Sequence, residues 1–195
     1  MSIRRESLAS AAWSSFAAVE PTLAAIVERR FGAYRHHVLA TLRRDGSPRT
    51  SGLEVRIQGG ELWLGMMPGS LKALDLRRDP RFALQANPGP GTDMYGGDVR
   101  IAGRAVEVPD GPAKAEYVEE VEPPQPFHLF RTELTEVTRT YVEDAKAARD
   151  AQDTQDTQDT QDAKHTADAE DVGEEAYLVV EVWKPGEPLR TVKRV

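Results

Sequence analysis

The sequence predicts a mainly β protein of the α+β type, in which about six antiparallel strands form a barrel flanked by a few helices. Three observations indicate this fold class. Short β-like runs recur along the chain, tight turn signals such as Asp45-Gly46 and Gly59-Gly60 separate them, and strands do not alternate regularly with helices. Regular alternation would indicate a doubly wound parallel sheet, whereas strands joined by tight turns are typical of antiparallel barrels.

Residues 1–35 are predicted to be a helical segment that precedes the barrel. Apolar residues recur at three- and four-residue steps over residues 14–31, as on one face of an amphipathic helix. Pro21 lies inside this stretch. A short turn before the main helix would accommodate it, because proline is tolerated at the first helical position.

Three strands in meander order follow this helix. Residues 37–42 form a compact apolar run that ends before the Asp-Gly hairpin signal. The second strand is expected over residues 49–57. A Gly-Gly turn then leads to a third strand over residues 61–66, which pairs with the second strand.

A short helix is predicted to interrupt the sheet after this meander. Ser70 can cap the helix with its hydroxyl. Leu71, Leu74 and Leu76 give the helix an apolar side before a proline ends it.

Strands resume over residues 81–86 and 98–108, on either side of a loop at 87–97 that is rich in glycine and proline. Gly103 lies inside the second of these strands and indicates a bulge or a close approach of another backbone. A helix is expected over residues 111–121, and the prolines after it require extended chain.

The last two long strands are expected over residues 127–142 and 176–183, with an acidic insert over 144–175 between them. Within the insert, residues 151–163 repeat Gln-Asp-Thr and contain no large apolar side chain, so ordering them would not bury enough surface. We therefore expect a single domain over residues 1–195 with a disordered insert at the tip of a hairpin. No metal site is expected there, because the repeat lacks the glycine and glutamate of a calcium loop.

Acidic charge is concentrated in this insert. Residues 143–175 contain 12 acidic and three basic residues, whereas the rest of the chain contains 22 basic and 20 acidic ones. With neither a basic stripe nor interleaved aromatic residues, the composition does not favour a nucleic-acid partner.

Export and membrane association are not indicated either. The chain has no cysteine, which excludes disulfides and cysteine nucleophiles and agrees with a reducing compartment. It has no run of about 18 apolar residues and no apolar signal-peptide core. The sequence therefore predicts a cytoplasmic protein without a membrane partner.

Residues 37–86 contain, in order, an LATLR strand, a DGSPR turn, a Gly-Gly turn, a strand ending at Gly65-Met66, a GSxK step into a helix and an RRDPRFAL strand. In this order the motifs resemble the pyridoxamine 5'-phosphate oxidase-like split-barrel family. The later stretches DVRIAGRA, HLFR and VWKPG resemble further strands of actinobacterial members. The ordered set, over residues 13–142 and 176–194, carries the resemblance, because no single motif in it is specific.

This resemblance implies a six-stranded split barrel that forms a homodimer, with a flavin-type cofactor such as flavin mononucleotide (FMN) at the subunit interface. Ser70 and Lys72 would bind the cofactor phosphate. At a loop that enters a helix, backbone N–H groups, the helix dipole, a hydroxyl and an ammonium converge on one anion. Residue type alone leaves open that Ser70 only caps the helix and that Lys72 is a solvated lysine.

By the same resemblance, Arg49, Thr50 and Ser51 would lie along the cofactor ring, with the Arg49 guanidinium near its polar edge. Gly65 and Met66 would approach the ring through their backbone. A solvated hairpin arginine and ordinary packing at a strand end are the alternatives for these positions.

Two positions depart from the true oxidases. Leu71 stands where they carry an arginine of the phosphate clamp, and Asp98 stands where a glutamine reaches the cofactor from the other subunit. Their C-terminal arginine-histidine substrate segment is also absent. The resemblance therefore implies an oxidoreductase other than pyridoxamine phosphate oxidase, which transfers two electrons to an unidentified small molecule. The alternatives are a reductase that uses coenzyme F420 and a non-catalytic protein that binds a cofactor or haem or acts as a sensor.

Overall fold

The structure is a computed structural model of the chain, and it describes residues 9–89, 97–144 and 176–194. Four helices and nine strands occupy these residues. In chain order they are α1 (Trp13–Val19), α2 (Pro21–Gly32), β1 (His37–Leu42), β2 (Pro48–Leu53), β3 (Val55–Gln58), β4 (Glu61–Met66), α3 (Leu71–Arg78), β5 (Arg81–Gln85), β6 (Asp98–Glu107), α4 (Pro112–Val121), β7 (His128–Asp144), β8 (Ala176–Trp183) and β9 (Arg190–Arg194).

The nine described strands form one antiparallel sheet. Its main path runs β2-β1-β5-β6-β7-β4-β3, and β8 and β9 extend it from the C-terminal half of β7. The mainly β antiparallel class with a few helices is therefore confirmed. The expected number of six strands is wrong, because the described part of the chain alone contains nine.

The predicted strand over residues 49–57 is divided at Glu54. β2 ends at Leu53 and pairs with β1, whereas β3 begins at Val55 and pairs with β4. β2 and β3 are the two ends of the sheet path, and no ladder between described strands closes it. β9 was not predicted, because four of its five residues are polar and Val192 is its only apolar side chain.

β6 and β7 form a ladder that contains the irregularity expected at Gly103. The register shifts between Ala102 and Gly103. A Cβ atom on Gly103 would overlap the carbonyl oxygen of Glu133. The predicted close approach of another backbone is therefore confirmed.

The N-terminal helices pack against the main core. The chain leaves helical geometry at Glu20, and Pro21 begins α2, so the predicted helix is divided where proline was expected to interrupt it. Phe16 and Val27 are fully buried, and the ring centroid of Phe16 lies 4.7 Å from that of Trp183.

Only part of the apolar side predicted for α3 is buried. Leu76 is buried, together with Ala73 and Asp75, whereas Leu71 and Leu74 are exposed. Ala73 is fully buried and, with Leu76, belongs to the main hydrophobic core.

Residues 145–175 connect β7 to β8, and Asp144 is the register partner of Ala176 at the ends of these strands. The insert predicted to be disordered lies almost entirely outside the described residues. Within the described ranges, no helix is both long and apolar enough to cross a membrane. The same ranges contain no cluster of three or more side chains suited to holding a metal ion.

Candidate functional site

A cleft of about 830 Å³ opens beside the ends of β2 and β4. These strand ends and the start of α3 form one wall. α4 and residues 122–127, Glu-Pro-Pro-Gln-Pro-Phe, form the other. The volume lies in the range of pockets that bind small molecules and cofactors.

Ser70 contributes an unpaired hydroxyl to this cleft. The residue occupies the N-cap position of α3 with extended backbone, φ −63° and ψ 136°, but its side chain makes no capping hydrogen bond. Its Oγ atom is buried and has no hydrogen-bond partner among the described residues. Because buried polar atoms in proteins are usually paired, the unpaired hydroxyl makes Ser70 a candidate donor to a ligand in the cleft.

Lys72 lies two residues further on and also lines the cleft. Its Nζ atom donates to the carbonyl oxygen of Gly52 at 2.5 Å. Burial lowers the pKa of the Lys72 ammonium, because the charged form is partly removed from water. No described carboxylate pairs with it, so an anion in the cleft would stabilise its charged form.

β4 presents bare backbone to the cleft at Gly65. The phenol oxygen of Tyr117 lies 3.8 Å from the position that a Cβ atom on Gly65 would take. Tyr117 is only 6% exposed, and burial raises the pKa of its phenol. Trp63 and Phe127 hold its ring, with centroids 5.6 and 6.0 Å away. Met66, the next residue of β4, is buried and lines the cleft beside Gly65.

Charged side chains also line the cleft. The Nε atom of Arg35 lies 2.9 Å from Oε1 of Glu54, and Nε2 of His36 lies 3.6 Å from the same oxygen. Arg56 and Glu122 are exposed cleft residues, and the described part of the chain provides neither side chain with an ion-pair partner. The cleft therefore contains one paired carboxylate and one unpaired carboxylate.

Arg49 does not line the cleft. Its Nε atom donates to Oδ2 of Asp75 at 2.7 Å. Asp75 also accepts hydrogen bonds from Thr41 at 3.0 Å and from Arg78 at 3.1 Å. Burial alone would raise the pKa of Asp75, but these hydrogen bonds outweigh it and hold the pKa below its usual value. The arginine that was predicted at the polar edge of a cofactor thus joins β2 to α3.

Three other predicted residues also lie outside the cleft lining. Thr50 is exposed, and Ser51 has a buried Oγ atom without a hydrogen-bond partner in the described ranges. Asp98 begins β6 opposite Thr140, and β6 continues for ten residues, about 30 Å, before the chain reaches α4. The structure brings four predicted residues together at the cleft, namely Gly65, Met66, Ser70 and Lys72.

The sequence alone does not identify Tyr117, Arg56 or residues 122–127 as site residues. Tyr117 falls within the predicted helix over residues 111–121, where only its hydroxyl distinguishes it from an ordinary core residue. The prolines after that helix predict extended chain. They do not predict that this chain lies beside β4, because that placement depends on contacts between distant parts of the sequence.

The part of the chain that contains the cleft matches a known protein family. Residues 28–141 match the sequence profile of the family described as pyridoxamine 5'-phosphate oxidase. This range contains every residue that lines the cleft. No curated protein matches the chain in sequence.

Several solved structures are similar in fold. A candidate pyridoxamine 5'-phosphate oxidase from Listeria innocua is 17% identical, with a TM-score of 0.46, over 60% of this chain and 94% of its own. A haem-binding protein from Mycobacterium smegmatis is 20% identical, with a TM-score of 0.43, over 58% of this chain and 52% of its own. An F420 reductase is 19% identical, with a TM-score of 0.39, over 51% of this chain and 86% of its own.

Proposed function

Because this chain belongs to the pyridoxamine 5'-phosphate oxidase family, we propose that it binds a flavin-type cofactor in the cleft and transfers two electrons to a small organic molecule. FMN is the first candidate for the cofactor. The observation that carries the proposal is that an unpaired Ser70 hydroxyl and a partly desolvated Lys72 ammonium both lie at the start of α3, in residues that line the cleft. Backbone N–H groups at the start of a helix also lack partners, so this arrangement suits a phosphate group.

A phosphate in this position would accept hydrogen bonds from Ser70 and Lys72. Hydrogen bonds between ionised partners are about twice as strong as neutral ones. The dianion would also offset the desolvation of the Lys72 ammonium and raise its pKa towards the usual value. Ser70 and Lys72 would therefore supply two donors to a phosphate-bearing cofactor.

The ring of the cofactor would supply the two-electron chemistry. The chain would contribute the surfaces that orient the ring and exclude water from it. Gly65 has no Cβ atom, so the β4 backbone is accessible to a flat group. Tyr117 and the prolines of residues 122–127 provide an apolar wall on the opposite side. The proposal assigns no residue as a general acid or base.

We also propose that a homodimer completes the site. Met67 and Leu71, at the start of α3, are 78% and 57% exposed, and Leu74 is exposed on the same helix. Clustered exposed apolar side chains commonly mark an interface. Asp98 lies at the end of β6 remote from α4, so it would approach a cofactor only from a partner subunit.

The proposed substrate is not pyridoxamine phosphate. Leu71 provides no second cation for the phosphate, and Asp98 provides a negative charge where the true oxidases have an amide. The differences at Leu71 and Asp98 are also compatible with two other functions. These are a reductase that uses coenzyme F420 and a protein that binds its ligand without turnover.

The test is an absorbance titration of the purified protein with FMN and, separately, with coenzyme F420. We expect micromolar binding of one cofactor, weakened about tenfold or more in Lys72→Ala through loss of a charge-assisted contact. Ser70→Ala should weaken binding less, because a neutral donor is lost. Lys184→Ala is the matched control and should bind like the wild type, since Lys184 lies outside the cleft and has a half-exposed side chain.

The outcomes of the two titrations distinguish the competing functions. If only coenzyme F420 binds, it replaces FMN as the proposed cofactor. A cofactor that binds but is neither reduced by nicotinamide donors nor reoxidised by quinones would indicate a carrier or sensor. If the wild-type protein binds neither cofactor, the redox proposal is wrong.

A further inference from the structure

The residue that follows α4 has an unusual backbone conformation. Glu122 has φ 47° and ψ 50°, in the left-handed region, and its backbone N–H donates to the carbonyl oxygen of Val118 at 2.9 Å. All the other described residues with positive φ are glycines. Glu122 is therefore the one side-chain-bearing residue in the described ranges that adopts this conformation.

This conformation is unfavourable for a glutamate in two ways. The Cβ atom of an L residue is crowded in the left-handed region, so the position just after a helix is usually glycine. The next residue is Pro123, and the ring of a proline restricts the preceding residue to extended backbone. Backbone geometry alone would thus favour glycine at position 122.

The side chain of Glu122 lies where a ligand would meet it. It is an exposed carboxylate that lines the cleft, and no described side chain pairs with it. Glu54, the other carboxylate of the lining, is paired with Arg35 at 2.9 Å. The Glu122 carboxylate therefore lacks a direct ion-pair partner among the described residues, although Arg56 and Lys72 bring positive charge to other parts of the lining.

We propose that Glu122 determines the specificity of the cleft by contacting the bound small molecule, and that it favours molecules with a cationic nitrogen. Strained backbone of this kind clusters at active sites and ligand-binding sites. A carboxylate only accepts hydrogen bonds, so its preferred partner is a cationic N–H group or another positive charge. The inference rests on the proposed function only in taking the cleft as a ligand site.

A matched pair of probes tests this preference. The probes are 10-methylacridinium, a permanent cation, and acridine, which has the same ring system and is neutral at about pH 8. Fluorescence titrations give the ratio of their affinities for the wild type, Glu122→Gln and Glu122→Gly. Glu120→Gln is the control, because Glu120 is exposed on α4 but does not line the cleft.

We expect the wild type to favour the cation, Glu122→Gln to reduce that preference about fivefold, and Glu120→Gln to leave it unchanged. Glu122→Gly should lose the same preference and unfold at a higher temperature, because glycine relieves the strained backbone. The inference is wrong if the wild type binds both probes equally or binds neither. It is also wrong if Glu122→Gln keeps the preference or if Glu122→Gly unfolds at a lower temperature.

The FMN and F420 titrations of the wild-type protein test the proposed cofactor independently of the acridine probes. Their failure would remove the proposed cofactor, whereas the acridine pair alone decides whether Glu122 selects charge.

Discussion

The Nε atom of Arg49 donates a hydrogen bond to Oδ2 of Asp75 at 2.7 Å, and this contact joins β2 to α3. Both side chains are largely withdrawn from solvent, with 20% and 5% of their surfaces exposed. β2 contributes Gly52 to the cleft, and α3 contributes Lys72. The pair therefore joins two of the three elements that form one wall of the cleft.

Asp75→Asn should lower the free energy of unfolding by about 2–4 kcal/mol, because it leaves a mostly buried guanidinium without its counter-ion. Urea denaturation followed by tryptophan fluorescence measures this change. Asp110→Asn is the control, because Asp110 pairs with Lys114 at the surface and its loss should leave the urea midpoint unchanged. Equal midpoints for Asp75→Asn and the wild type would show that the buried pair adds no net stability.

Acid should weaken the same contact. Burial raises the pKa of Asp75, but hydrogen bonds from Arg49, Arg78 and Thr41 outweigh it, so the folded-state pKa lies below the usual value. The folded protein therefore binds this proton less readily than the unfolded chain does. The stabilisation is complete above the unfolded pKa of about 4 and is lost as the pH falls through the lower folded value.

The unfolding temperature, measured between about pH 6 and about pH 3, should thus fall more steeply for the wild type than for Asp75→Asn. Parallel curves would exclude Asp75 as the source of acid sensitivity.

Gly103→Ala should destabilise the sheet by about 1–3 kcal/mol, because the new Cβ atom would overlap the carbonyl oxygen of Glu133. Thermal unfolding followed by circular dichroism measures the effect. Gly32→Ala is the matched control. A Cβ atom there meets nothing within 4 Å, and alanine favours a helix over glycine. If both variants unfold at the wild-type temperature, the bulge in β6 accommodates a methyl group.

Leu74→Glu should separate the proposed homodimer without altering the cleft lining, to which Leu74 does not belong. A charge placed in an apolar interface must be desolvated, so we expect the dimer dissociation constant to rise about tenfold or more. Sedimentation velocity over a concentration series gives this constant. Val19→Glu, which changes an exposed apolar residue on α1, should leave it unchanged. A monomeric wild type would contradict the proposed assembly.

Local signals were sufficient to predict much of the sheet. Gly46, Gly59 and Gly60 all have positive φ, as their tight turns require. Such turns determine where the flanking strands end, so β1 and β4 were predicted with their observed bounds. Gly103 was informative for a similar reason, because a glycine inside a strand indicates that another backbone lies close to it.

Contacts between distant parts of the sequence were not predictable in this way. Arg49 and Asp75 are 26 residues apart, and no spacing rule relates a strand residue to a helix residue across a turn and another hairpin. The bend between β2 and β3 occurs at Glu54, where neither glycine nor proline marks it. The position of Tyr117 beside Gly65 likewise depends on how α4 packs on β4. The wall of the cleft at the start of α3 could thus be predicted from a loop and a helix, whereas the opposite wall could not.

Gly65→Ala tests the cleft while leaving the fold intact. The added Cβ atom would lie 3.8 Å from the phenol oxygen of Tyr117, an ordinary van der Waals separation, so the variant should unfold at the wild-type temperature. The methyl group would nevertheless occupy the space in which a flat ring approaches the β4 backbone. We expect the affinity for the proposed cofactor to fall about fivefold or more in an absorbance titration. An unchanged affinity, with an unchanged unfolding temperature, would mean that the cofactor does not lie against β4.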